Sequence, residues 1–357
     1  MDHFTQDTLS AIEAKQEAQK IAFAPIAFQA SKALRDLGVL AAAEAAGETG
    51  VAPGEVERGT GLSRYATRVL LEAGLGIGAL RLGDGGYVLT RLGWYLLNDS
   101  MTRVNMDFVN DVNYRGFFHL QEALVSGKPA GLRELAPETA TVYEALGGLP
   151  PPVRESWLSF DHFYSDSAFR SALPVVFAEP VRALLDVGAN TGKWAIACAQ
   201  RDPQVRITLC DLPGQLAQAR ENIARQGLEE RMAEHPADVL DPESALPDGH
   251  DVIWMSQFLD CFSEDQIVMI LEKARRAMTG ATRLYILETF WDRQRFSNAA
   301  FCLQQTSLYF TCMANGNSQM YHSAVFHACL ERAGLTVVEE TDGIGISHTL
   351  IRAERRD

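Results

Sequence analysis

The sequence predicts a two-part α/β chain, with a mainly helical first part and then a doubly wound, Rossmann-like sheet. Three observations carry this. The stretch Ala183-Leu184-Leu185-Asp186-Val187-Gly188-Ala189-Asn190-Thr191-Gly192-Lys193-Trp194-Ala195 reads as an apolar strand, a glycine-containing turn and the start of a helix. Residues 205–210 read as the next strand, and a second acid, Asp211, ends it. The 357 residues exceed what one core usually holds, so two domains are expected.

The elements follow in order. Residues 1–20 carry a polar helical pattern that turns apolar at Ile21. Ala22, Phe23, Ile26, Ala27, Ala30, Leu34 and Leu37 then share one helical stripe. Such a face suits either a partner subunit or the chain's own core. Residues 39–100 have the cadence of a winged helix-turn-helix. Helices are expected over 39–46, 51–60 and 64–75, with Pro53 near the start of the second and Ser63 capping the third. Short strands over 79–82 and 87–90 flank the hairpin signal Gly83-Asp84-Gly85-Gly86. Residues 101–180 are helical and rich in aromatics, interrupted by Gly147-Gly148-Leu149-Pro150-Pro151-Pro152. These features divide the chain into a winged-helix-like domain over 1–105, suited to dimerisation or to a substrate-lid role, a helical linker over 106–180 and a sheet domain over 181–357.

Within the sheet domain, residues 237–240 continue the strand pattern and place Asp238 at the ligand edge. Residues 251–256 are the fourth strand. Ser263 with Gln266 has capping-box spacing before an apolar-striped helix. Residues 283–288 are the fifth strand and end in Glu288. A helix over 324–333, capped by Ser323, precedes closing antiparallel strands over 336–340 and 349–353.

Composition narrows the function classes. The chain is 47% hydrophobic and 22% charged, as expected of a globular protein, and its formal charge of −14 repels phosphate backbones. Arg64 and Arg68 on the third helix are offset by Glu72, so a DNA-reading face is not expected. The six cysteines form no CxxC pair and read as free thiols in a reducing cytoplasm. The polar start is not a signal peptide, and no apolar run approaches the roughly 20 residues of a membrane span.

Gly188 and Gly192 let the backbone turn sharply and lie close to a ligand. Asp186 sits where the strand meets the loop, and Asp211 is placed to accept both hydroxyls of a ribose. Asn190 holds the place of the middle glycine of a dinucleotide fingerprint, which speaks against an NAD-type oxidoreductase. The pattern Asp-x-Gly-x-x-x-Gly, then Asp211, resembles class I S-adenosylmethionine (SAM) methyltransferases. With the winged helix and helical linker, essentially the whole chain resembles the small-molecule O-methyltransferase family. Glu288-Thr289-Phe290-Trp291-Asp292-Arg293-Gln294-Arg295 and residues 307–317 look like an uncharacterised bacterial subgroup similar to methyltransferases of aryl-polyene pathways.

The resemblance implies a homodimer whose N-terminal helices interlock. It places Asp186, Gly188, Asn190 and Gly192 on SAM, with Asp211 and Leu212 at the ribose. Asp238 and Val239 would meet the adenine, and Ser256 and Gln257 the methionine end. Tyr164, with Phe163 and Trp291, packs either on the sulfonium or acceptor ring or simply in the core.

One departure matters. The family usually reads Leu-His-Asp-Trp after the fourth strand, and the His deprotonates the acceptor. This chain reads Leu259-Asp260-Cys261-Phe262, so Asp260 holds the His position. An aspartate with pKa about 3.9 suits that task only if burial raises it. The candidates for catalysis are therefore Asp260, His162 and His322, with Glu288 orienting base or acceptor. Each has a structural alternative: Asp260 capping the next helix or pairing with Arg293, and the histidines serving as satisfied structural groups, as His348 is expected to be. No spacing supports a metal site. The expected function is methyl transfer from SAM to a small phenolic or hydroxyaryl acceptor, free or carried on a protein, at oxygen or at an ortho carbon. The rival readings are a SAM-sensing winged-helix regulator and a non-catalytic family member.

Overall fold

The computed structural model describes residues 4–356, so Met1 to His3 of the polar start and Asp357 at the end lie outside the described residues. The chain forms two compact units, divided at Val109/Asn110.

The first unit opens with one long helix, α1 (Ala11–Asp36), started by a reciprocal capping box between Ser10 and Glu13. Its C-terminal Leu34 is fully buried, whereas Ile12, Ile21, Phe23 and Ile26 are exposed. Helices α2 (Val39–Ala46), α3 (Pro53–Thr60) and α4 (Arg64–Gly76) follow, with Ser63 capping α4 through the Ala66 amide. Strands β1 (Leu80–Gly83) and β2 (Gly86–Leu89) form the hairpin. The second helix starts two residues later than the sequence suggests. Pro53 takes its first position, and Val51 instead pairs with Tyr87 in both directions at 2.9 Å, adding a bridge to the wing. Leu34, Leu40, Val56, Leu71 and Leu80 close this unit's core. Helices α5 (Arg91–Asn98) and α6 (Ser100–Phe108) complete it.

The second unit begins with short helices, among them α7 (Leu120–Ser126) and α8 (Val142–Ala145), and then the 26-residue α9 (Pro151–Val176). Its sheet contains β3 (Ala183–Val187), β4 (Arg206–Asp211), β5 (Met232–Pro236), β6 (Val252–Ser256), β7 (Arg283–Glu288), β8 (Leu335–Ile344) and β9 (His348–Arg355). Their order is β5-β4-β3-β6-β7-β9-β8. The first five run parallel, and β9 and β8 close the sheet antiparallel. The connecting helices are α10 (Lys193–Arg201), α11 (Pro213–Ala224), α12 (Glu264–Ala277), α13 (Ser297–Tyr309) and α14 (Ser323–Arg332).

Two apolar layers cover the sheet. One packs Leu185, Ile253, Met255, Ile270 and Phe326; the other packs Leu184, Ile207, Leu209 and Trp254, with Trp194 stacked on Trp254 at 3.8 Å. The strand order reverses direction at β3, so the crevice above the carboxyl ends of β3, β4 and β6 is the topological place for a ligand.

Three local expectations are corrected. The third parallel strand is Met232–Pro236 rather than 237–240, and Asp238 lies in the loop after it. His322, not Ser323, caps α14: its Nδ1 accepts the Ala324 amide at 3.1 Å, while the Ser323 amide and hydroxyl both donate to Asp292. Residues 297–309, for which no element is expected from the sequence, form α13.

Candidate active site

The crevice is built from strand ends. Gly188, after β3, has φ +75°, and a Cβ there would stand 2.4 Å from the Phe258 ring, so only glycine fits. Gly192 has φ +75° and packs against Ala219. Asn190 between them is also left-handed, at φ 48°, a conformation asparagine tolerates better than most side chains. Two acids hold it there. Its amide N–H donates to Asp211 Oδ2 at 2.8 Å, and its side-chain Nδ2 donates to Asp161 Oδ2 at 3.1 Å.

Asp211 ends β4 and also accepts the Leu212 amide through Oδ1 at 2.7 Å. Each carboxylate oxygen keeps a further acceptor direction, so two hydroxyls can still be received. Asp186 is buried, and its Oδ2 has no partner among the described residues. The Ser256 hydroxyl and the Gln257 side-chain oxygen are buried and unpartnered in the same way, and Gln257 has φ 46°. Unsatisfied buried polar atoms at the end of a doubly wound sheet call for a ligand. Asp238, in the loop after β5, is exposed and turns back to accept the Leu240 amide at 2.8 Å, while Val239 is packed into the core.

Asp260 lies in the single turn Leu259–Cys261 after β6 and is buried. Neither structural alternative for it holds. Ser263 caps α12, and Arg293 pairs with Asp342 at 2.8 Å and Glu340 at 3.3 Å. The turn is pinned from several sides. Glu288 Oε1 accepts the Phe258 and Leu259 amides at 3.1 and 2.8 Å. Asn315 Nδ2 donates to the Cys261 carbonyl at 2.6 Å, and the Tyr321 hydroxyl donates to the Phe262 carbonyl at 2.7 Å. Glu288 thus clamps the turn that carries Asp260.

Burial dominates the electrostatics. It lifts the Asp260 carboxyl to about 7, with the neighbouring Asp161 adding to the rise. Burial and Asp166 bring Asp161 to about 6, and burial and Asp211 bring Asp186 to about 8. Glu288 is raised well above the usual carboxylate range by burial and by Asp260.

The remaining candidates differ in surroundings. His162, on α9, is lowered to about 4 by burial and by the Lys193 charge. His322 serves as a cap and meets the Trp291 ring edge-on at 4.9 Å. Tyr164 is half-buried between Phe160 and Phe163, at ring distances of 5.3 and 5.4 Å. His348 is fully buried, and burial lowers it to about 4. Sequence reasoning gave no role to Asp161, to Asn315 or to Tyr309, whose hydroxyl accepts the Trp157 indole N–H at 2.7 Å. Their partners lie far off in the chain.

Residues 15–87 match the Dimerisation2-like domain, and residues 164–336 match the O-methyltransferase domain. The L-tyrosine C(3)-methyltransferase of Streptomyces lavendulae is 25% identical over 317 residues, covering 88% of this chain and 85% of that protein. The aclacinomycin 10-hydroxylase RdmB of Streptomyces purpurascens is 33% identical, over 36% of this chain and 35% of its own length. Among solved structures, the S-adenosylmethionine-dependent methyltransferase SibL superposes with a TM-score of 0.70 at 28% identity, covering 95% of this chain and 98% of its own. The chain therefore joins a dimerisation2-like domain to an O-methyltransferase domain, and it is a methyltransferase.

Proposed function

We propose that this chain transfers a methyl group from S-adenosylmethionine to a small phenolic or hydroxyaryl acceptor, at the hydroxyl oxygen or at the ring carbon beside it. The observation that carries this reading is Asp260. It is a buried carboxyl raised to about 7, fixed on a pinned turn above the same crevice that Asp186 and Asp211 line. The acceptor class is supported by the relative named for methylating tyrosine at a ring carbon.

The donor supplies an electrophilic methyl on a positively charged sulfur. Gly188, Asn190 and Gly192 shape the cradle, Asp211 with Leu212 receives the ribose, and Asp238 with Val239 meets the adenine. Asp186, Ser256 and Gln257 offer their unpartnered oxygens to the methionine end. Asp260 takes the acceptor's proton. A phenol has pKa about 10, so a base near 7 is better matched than an ordinary aspartate near 3.9. The phenolate spreads charge from oxygen to its ortho carbons, and the angle at which the ring is held decides which atom faces the methyl. Glu288 holds the Asp260 turn in place. His162 and His322 rank behind Asp260, because one is a weak base and the other is engaged as a cap.

The chain acts as a homodimer. The dimerisation2-like domain and the exposed apolar residues of α1 support this. No helix among the described residues is long and apolar enough to cross a membrane, and the six free cysteines fit a reducing cytoplasm. Residues 288–295 and 307–317 are the support for placing the chain near the aryl-polyene-like subgroup, and the acceptor is either free or carried on a protein.

The test is incubation with isotope-labelled S-adenosylmethionine and a panel of hydroxyaryl acids, with products read by mass spectrometry. Label should enter phenols and not their methyl ethers. Products that gain an oxygen instead of the labelled methyl would sink the reading and favour the chemistry named for the hydroxylase relative.

A further inference from the structure

Lys273 lies within α12 with its side chain buried, among core neighbours Ile270, Leu271 and Ala274. A buried ammonium is costly unless it is paired. No ion pair with a carboxylate is formed by Lys273 among the described residues. It donates instead to the Asp241 carbonyl and, at 2.8 Å, to Ser244 Oγ. The Ser244 hydroxyl passes the contact on to the Asp238 carbonyl at 2.6 Å. The Asp241 amide also donates to that carbonyl, at 3.1 Å.

Residues 237–246 form neither helix nor strand, so one side chain from α12 ties this segment to the body of the fold. The ammonium also lies near enough to the Cys210 thiol, one residue before Asp211, for its charge to act on it. Cys210 and Val239 belong to the same buried cluster as its helix neighbours Ile270, Leu271 and Ala274. A local rule broken inside a well-packed core points to a functional constraint.

We infer that Lys273 is a positioning residue that presents Asp238 and Val239 to the adenine ring of the methyl donor. This rests on the assignment of those two residues to the adenine given above. Asp238 Oδ1 is engaged by the Leu240 amide, which leaves Oδ2 to accept the exocyclic amine of adenine.

The test compares, by calorimetry on the full chain, S-adenosylhomocysteine with S-inosylhomocysteine, whose purine carries an oxygen in place of the amine. The native protein should prefer the adenosyl compound. Lys273→Met keeps the stem and removes the ammonium. It should weaken the adenosyl compound about tenfold, the worth of one charge-assisted hydrogen bond, and the inosyl compound far less, so the preference collapses. A general loss of stability would weaken both alike. Ser244→Ala is the milder variant and decides the matter if Lys273→Met does not fold. It should shrink the preference too, and in the double variant add little to Lys273→Met. A preference kept in Lys273→Met and Ser244→Ala but lost in Asp238→Ala would overturn the clamp. A preference kept in Asp238→Ala would remove that residue from the adenine subsite, and the proposal with it.

Discussion

At the position where the family pattern this chain resembles usually has a histidine, the crevice carries an aspartate. Burial, with the neighbouring Asp161 adding to it, raises Asp260 far enough to make the exchange workable, and no cation pairs with it to undo the rise. Asp260→Asn keeps the shape and removes the base. Turnover should then fall by roughly 10²–10⁴ while donor affinity holds, as single-turnover kinetics beside calorimetry would reveal. The working form is the carboxylate, so kcat/KM of the native protein should climb as pH rises through about 7 and then level. A flat profile across that range would move the base elsewhere. The identity of Asp260 was legible in the sequence from its place after the fourth strand. Its burial was not, because Glu288, Asn315 and Tyr321 reach its turn from 29 to 59 residues away.

At the scale of elements, the strands that carry the crevice were the most legible part. Strands β4, β6 and β7 end in a polar residue at the ligand edge, β3 carries Asp186 one position before its end, and residues 283–288 agree residue for residue with β7. Edge and surface elements were harder. Strand β5 reads Met-Ala-Glu-His-Pro, half polar and closed by proline, as an edge strand can be and an interior one cannot. Helix α13 mixes Gln, Thr and Ser with its apolar residues and shows no clear stripe. The acids at the strand ends have a thermodynamic consequence. In the fold Asp186 titrates at about 8 against a model-peptide value of 3.8, so between those limits the folded state holds more protons than the unfolded one. Stability without ligand should therefore fall as pH rises from about 4 to about 8, with Asp161 and Asp260 adding in the same direction over narrower windows. Asp186→Asn should flatten that slope and raise Tm at pH 8, checked by thermal unfolding across the range. A Tm that rises with pH in the native protein would contradict it.

For the whole molecule, the first unit gives the clearest expectation. Phe23 and Ile26 are 61% and 65% exposed on α1, in a unit that matches a dimerisation2-like domain. Contiguous exposed apolar side chains of this kind mark an interface. Light scattering at micromolar concentration should give twice the chain mass, and the double substitution Phe23→Asp, Ile26→Asp should shift it toward the monomer. A native monomer at that concentration would refute the assembly. The stripe itself was visible as a helical repeat. Whether it faced a partner or the chain's own core was not, because both demand the same periodicity; exposure of Phe23 with burial of Leu34 on the same helix separates the two ends.

The ring of raised carboxyls around the crevice bears on product inhibition. The donor carries a positive sulfur, and the spent cofactor left after transfer carries a neutral one. Carboxylates in a poorly hydrated crevice attract the first and are indifferent to the second. Asp161, Asp260 and Asp186 titrate at about 6, 7 and 8, so the crevice gains negative charge in steps across the physiological range. Competitive calorimetry at pH 6 and pH 8 should show the affinity ratio of S-adenosylmethionine to S-adenosylhomocysteine widening with pH. An enzyme built this way is less hampered by its spent cofactor as its surroundings become more alkaline, because the donor competes for the crevice more strongly.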